Sequence, residues 1–348
     1  ALVNADKMTA VTPEDKAAKE EIIANFYALR ALCHFDLLKI YSRIPTAGNP
    51  TTDLGVILAD KVISVKDQPQ RATVQQVYDL IFADLAKAET IPAASATKGW
   101  FSINAIKALK ARVYLYHGDK VEALKYAKDV IDNGGYSLVA KDKYAASWAF
   151  NYNNPEAIMT IICTEDDNSG NEGVGYLMSE TGYAAMKVTN SFKALLSADA
   201  GDVRSSIIDA NDYLKKYPDN LTNVYRIIRL SEMYLIAAEA TTVQADAMAY
   251  LNVILKARGA TEITDATTVD LDRVLLERRK ELAGEGHVFF DFMRNKKNIV
   301  HTGTDHLATL KDADYVFEYD DYRAIQPIPR NELNSNNVIT QNPTYNAR

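Results

Sequence analysis

"SINAIKALKARVYLYHGDKVEALKYAKDVIDNGGY" occupies Ser102–Tyr136 and governs the reading of the fold. Ser102 is a helix N-cap residue, because its side-chain oxygen can satisfy a backbone N–H that the first turn leaves unpaired. Ile106, Leu109, Val113 and Tyr116 then recur at spacings of three and four, so they share one helical face. Gly118 breaks the helix, Asp119 and Glu122 open a second one, and Gly134 and Gly135 end it. A connection this short leaves the two helices only one arrangement, as antiparallel neighbours.

The same organisation extends in both directions. "VYRIIRLSEMYLIAAEA" (224–240) and "ADAMAYLNVILKARG" (245–259) read as a second helix pair. Tyr234-Leu235 leading to Ala247-Met248 echoes Tyr114-Leu115 leading to Ala123-Leu124, a tetratricopeptide-like repetition. Upstream, 20–43 predicts a long helix whose buried stripe is Ile22, Phe26, Leu29, Cys33, Leu37 and Ile40. Residues 46–71 read as loop. Thr73 and Gln76 form a capping box ahead of Val77, Ile81, Leu85 and Ala88 on a buried face. A further helix is expected over 270–283, with Leu271, Val274, Leu275, Arg278 and Leu282 on one side. Residues 140–222 differ in composition, being rich in Asn, Gly, Ser, Asp and Tyr, and contain one clear strand, "AIMTIIC" (157–163). The fold class is therefore mainly α: helix-pair repeats form the body, beside an irregular loop-rich segment with a few short strands.

Composition excludes several functions. A net charge of −7 without any basic run lacks the footprint of a nucleic-acid binder. No apolar run approaches the length of a transmembrane helix. Cys33 and Cys163 are too few and too far apart for a disulfide framework or a zinc motif, and Cys33 on its helix reads as a small buried hydrophobe. The five histidines share no ligand spacing. The acidic loop 165–172 resembles a calcium loop, but with Gly170 at its turn the chelating twelfth position would be Tyr176, so no metal is expected. Nucleotide-binding and nucleophile-elbow motifs are missing, and no cofactor is expected.

"ERRKELAGEGHVFFDFMR" (277–294) is the densest polar stretch. Glu281, Glu285, His287 and Asp291 have the chemistry of acids and bases. Arg278 and Arg279 nevertheless lie one helical turn from Glu281 and Leu282, and Arg278 with Glu281 has the spacing of a helix ion pair. Gly284 suits a helix C-terminus, and Phe289, Phe290 and Phe292 require a core. The stretch reads as a structural corner. A glycosidase would need two carboxylates facing each other across a cleft, and nothing marks such a pair.

The aromatic excess is more informative, with 20 tyrosines in 348 residues. Trp148, Asn151 and Tyr152 fall together in "SWAFNYNN", Tyr176 and Tyr183 follow in the Gly-rich region, and Trp100 precedes the central helix. Flat rings can cover the C–H face of a sugar or stack on a peptide, while neighbouring Asn and Asp side chains fix the ligand's orientation. These six residues are the candidate glycan-binding set, chosen on composition and location.

Five stretches carry a resemblance to the SusD/RagB family of nutrient-binding lipoproteins. They are "ALRALCHFDLLKIYSRIPT", "INAIKALKARVYLYHGDKVEALKYAKDVIDNGGYSL" (103–138), "VYRIIRLSEMYLIAAEA" with "LNVILKARG", "LLERRKELAGEGHVFFDFMR", and the tail "PIPRNELNSNNVITQNPTY"; "DVRSS" (202–206) adds a shorter element. Their order along the chain matches the family. The resemblance implies a single domain over 1–348. Within it, 20–139 would hold the first helical repeats, 140–222 the variable ligand segment, 223–283 the later pair and closing helix, and 284–348 the closing signature and tail. It further implies a surface protein of the outer membrane that binds oligosaccharide or polysaccharide without catalysis and serves a SusC-like TonB-dependent transporter. Its membrane attachment would be a lipid anchor on an upstream cysteine; signal peptide and anchor are not in these 348 residues. The alternative is a repeat scaffold that binds a peptide or protein in its groove, with Lys107, Lys110 and Arg112 as a carboxylate clamp, although Arg112 can equally pair with Glu122.

Overall fold

The computed structural model describes residues 2–64, 66–90, 99–149, 153–218, 224–301 and 316–345. Helix α1 spans Pro13–Tyr41, α2 Val74–Ala88, α3 Ile103–His117 and α4 Lys120–Asn133. Strand β1 (Ala157–Ile162) and the short helices α5 (Val174–Met178) and α6 (Asn190–Ser197) follow. Strand β2 (Val224–Arg229) runs directly into α7 (Leu230–Ala240), and α8 (Gln244–Arg258), α9 (Leu271–Glu281) and α10 (Val288–Arg294) complete the body. A small β3–β4 ladder (Ile299–Val300 with Val316–Phe317) and α11 (Arg330–Ser335) lie in the C-terminal part. The molecule is mainly α-helical with a few short strands.

The caps agree with the sequence. The Thr73 hydroxyl accepts the Gln76 N–H at 3.2 Å while Gln76 Oε1 accepts the Thr73 N–H at 2.9 Å. Ser102 and Asp119 accept from Ala105 and Glu122. Gly118 adopts φ +97°, a left-handed geometry that lets α3 reverse into α4 at no steric cost. The stripes expected on α2 and α3 are buried, and one continuous core joins α1–α4 to β1, β2 and α7. A second cluster, including Leu235, Leu251, Ile254 and Leu282, packs α7, α8 and α9 together.

Three expectations need correction. First, α1 begins at Pro13, capped by a Thr12–Asp15 box, and it buries the opposite face from the one expected. Ala24, Ala28, Ala31, Leu32, Phe35 and Leu38 are inside, whereas Phe26, Leu29, Leu37 and Ile40 are 38–46% exposed and Cys33 is exposed. Both faces of α1 are apolar; the alanine face wins because small side chains let α2 approach closely. Secondly, Val224–Arg229 is a strand, antiparallel to β1 with Ile161 opposite Tyr225, and the helix starts only at Leu230. A β-branched run takes the extended state when a partner ladder is available. Thirdly, Phe289, Phe290 and Phe292 are half-buried; Phe289 packs edge-on against Phe290 at 5.4 Å, while Met293, Asp291 and Arg294 take the interior.

Candidate functional site

The polar knot is an interior ion-pair lattice. Glu281 accepts from Arg229 Nη1 at 2.6 Å and from Arg258 Nη2 at 2.8 Å, and Arg204 lies at 3.5 Å. Glu156 binds Arg258 at 2.7 Å and Arg229 at 3.2 Å. Glu285 joins Lys216 at 2.6 Å to Arg229 at 2.8 Å. Arg278 pairs with Asp291 at 2.8 Å, and Arg294 bridges Asp291 and Glu239. Burial disfavours these charges, yet the arginines hold Glu239 and Glu285 down to about 2. His287 is buried beside Arg112, which keeps it neutral. Carboxylates saturated by guanidinium groups and closed off from solvent are poor acid–base groups. The knot therefore clamps α7, α8, α9 and β2 into one unit.

Its outer side supports a hollow. Residues 207–215 fold as a tight hairpin closed by the Ile208–Leu214 bridge, and the chain turns again over 215–217. Lys215 N donates to Ile207 O at 2.7 Å, and Tyr213 N donates to Asp209 Oδ1 at 2.8 Å. Asp212 takes φ +71° at the bend. Tyr213, Leu214, Lys215 and Tyr217 line one hollow, while Lys216 turns inward to Glu285. Burial pushes the Lys216 ammonium down to about 8 despite that partner. The four lining residues, together with Trp148, Ala149, Ser179, Glu180 and Asp209, enclose a hollow of about 330 Å³. Tyr217 donates to the Gly284 carbonyl at 3.0 Å, and Asn211 Nδ2 donates to Glu180 at 2.6 Å. The hollow thus combines aromatic walls with carboxylate acceptors and an exposed ammonium donor, a composition that suits a polyhydroxylated ligand.

The structure separates the six sequence candidates. Trp148 lines the hollow but is only 5% exposed, and Lys216 and Arg226 lie over its ring at 4.6 and 4.8 Å. It is a wall rather than an open stacking platform. Tyr176 and Tyr183 meet edge to face at 5.2 Å, flanking the Ser179–Glu180 segment that lines the hollow, without lining it themselves. Trp100 is exposed next to Phe101, whose N–H donates to Asn25 Oδ1 on α1, and it has no part in this hollow. Asn151 and Tyr152 lie outside the described residues. Tyr213, Tyr217, Glu180 and Asp209 were missed. The two tyrosines that follow the Asp/Asn turn in "DANDYLKKY" (209–217) were the available signal.

The clamp residues of the alternative reading are spoken for. Lys107 pairs with Asp129 at 2.6 Å, Lys110 with Glu89 and Tyr126, and Arg112 with Glu232 at 2.6 Å rather than Glu122. Among the described residues no helix is long and apolar enough to cross a membrane.

A helical scaffold, locked by an interior ion lattice, carries a loop-built hollow whose aromatic and polar lining has the composition of a ligand-binding site. Comparison with known proteins makes this specific. Residues 205–345 match the SusD family model, and residues 4–115 match a second model described as starch-binding associating with outer membrane. A SusD superfamily protein from Bacteroides vulgatus is 34% identical, with a TM-score of 0.89 over 99% of this chain and 82% of its own. One from Bacteroides thetaiotaomicron is 30% identical, with a TM-score of 0.89 over 98% and 82%. A laminarin-binding SusD-like protein is 25% identical, with a TM-score of 0.78 over 99% and 82%. The chain belongs to the SusD family.

Proposed function

We propose that this protein is the glycan-binding component of a nutrient-uptake complex at the outer-membrane surface. It holds an oligosaccharide or polysaccharide without cleaving it and passes it to a SusC-like TonB-dependent transporter. The observation that carries this reading is the hollow of Trp148, Tyr213 and Tyr217, in which aromatic surface stands beside Glu180, Asp209 and Lys215. The exposed edges of these walls give apolar contact to a sugar's C–H groups, and the polar groups take its hydroxyls. The laminarin-binding relative supports a glucan as ligand, and the family description supports the outer membrane as location. Non-catalytic binding accords with a knot whose carboxylates are all engaged by cations.

The test is calorimetric titration with laminarin and starch oligosaccharides, beside Tyr213→Ala and Asp209→Asn. Binding by the parent protein that weakens about tenfold or more in either variant supports the reading. Absence of binding to every glycan, or unchanged affinity in both variants, overturns it.

A further inference from the structure

Next to the aromatic hollow, and separated from it by Leu214, lies a second one of about 270 Å³ with a different character. Its wall is apolar: Met178, Met186, Val188, Phe192, Leu214 and Val288. Arg279 and Lys187 also line it, and no Asp or Glu does. In a chain of net charge −7, that local balance is unusual. Arg278, the preceding residue, is paired with Asp291. Arg279 by contrast makes no side-chain hydrogen bond or ion pair among the described residues. Its guanidinium lies over the Phe192 ring at 5.5 Å and is half-buried. Burial alone depresses its pKa, in keeping with the absence of an acidic neighbour. Lys187 stands at the exposed rim, over Tyr213 at 4.8 Å, and likewise lacks an ion pair among the described residues.

A partly desolvated guanidinium without a carboxylate is costly, and an incoming carboxylate offsets that cost with a charge-assisted, two-pronged hydrogen bond. The remaining wall offers little to a hydroxyl-rich body. The Thr189 hydroxyl is already used, accepting the Phe192 N–H at 3.3 Å as the cap of α6. Sugar hydroxyls placed against the methionines and valines would lose water without gaining partners. We propose that this hollow binds a carboxylate ligand with an apolar body. The carboxylate meets Arg279, the hydrocarbon packs on Phe192, Met178 and Val288, and Lys187 attracts the anion to the rim. The site is distinct from the glycan hollow and does not depend on it.

Octanoate is a suitable probe, with octan-1-ol as its neutral counterpart and glucuronate as a hydroxyl-rich carboxylate. Titration calorimetry should show octanoate binding, with octan-1-ol and glucuronate each at least tenfold weaker. Arg279→Gln should weaken octanoate by tenfold or more and leave glycan titrations unchanged, while Arg279→Lys should retain most of the affinity. Met186→Glu covers the case in which Arg279→Gln does not fold, because Met186 is 57% exposed and the new carboxylate would repel the ligand. No octanoate binding overturns the proposal. So does octan-1-ol or glucuronate binding as well as octanoate, or octanoate affinity that survives both Arg279→Gln and Met186→Glu.

Discussion

Leu214 reaches over Gly284 so closely that a Cβ on the glycine would stand 2.3 Å from Leu214 Cδ2. This contact joins the wall between the two hollows to the turn that closes the polar knot. Gly284 also has φ +76°, which a residue with a side chain adopts at a cost. Gly284→Ala should therefore lose about 1–2 kcal/mol of stability. It should also displace Leu214. Urea denaturation reads the first effect; the second appears as weakened binding in the neighbouring hollow.

Glu281 stands at the centre of three guanidinium groups, all buried. Removing one partner of a buried pair leaves the others uncompensated, at about 3–5 kcal/mol. Glu281→Gln is expected to lower the urea midpoint sharply or abolish folding. Lys125→Ala, which breaks an exposed contact with Glu122, should leave the urea midpoint close to that of the parent protein. Similar effects from both would remove the lattice from its structural role.

Acid should unfold the protein through the same lattice. Glu239 and Glu285 are held at about 2, against the ordinary 4.5 that they regain in the unfolded chain. The unfolded state then binds more protons as pH falls. The stabilisation is complete above about 4.5 and is lost between there and about 2, by roughly 3 kcal/mol per group as an upper bound. Thermal midpoints should fall steeply across that window, and Glu285→Gln should flatten part of the slope.

Lys216 is displaced in the opposite sense, down to about 8 from 10.5. Between those values the unfolded chain binds the extra proton, so this residue makes stability rise with pH from about 8 to about 10.5. Lys216→Met should remove that contribution. Melting curves of the two proteins across the alkaline range provide the comparison.

The two faces of α1 should respond unequally. Phe35→Ala, on the buried face, should cost about 3–5 kcal/mol. Leu29→Glu and Leu37→Glu, on the exposed face, should each stay within about 0.5 kcal/mol. Strong destabilisation by the glutamates would mean that the outer stripe is packed after all.

Local chemistry was legible wherever one choice dominated. The caps at Thr73, Ser102 and Asp119, the break at Gly118 and the strand after Ala157 all follow from interactions within a few residues. The irregular character of 140–222 followed from its lack of periodicity. The family too was readable in the ordered stretches, which fall within or beside the two matched regions, 4–115 and 205–345.

Other features depend on chain path. Nothing near α1 says which apolar face α2 will cover, and nothing in "VYRIIR" reveals that β1 waits as its partner. Arg112 finds Glu232 across 120 residues, although Glu122 is nearer in sequence. The two hollows arise only where residues 207–218, the segment after α5 and the turn at Gly284 come together. Periodicity and capping report interactions within about one helical turn, so sequence alone determined most of the helices and their order, but not strand β2 or the start of α1. Long-range packing and the pairing of buried charges are resolved only in three dimensions, and tertiary structure therefore decided which faces were covered, which ions were paired and where a ligand has room.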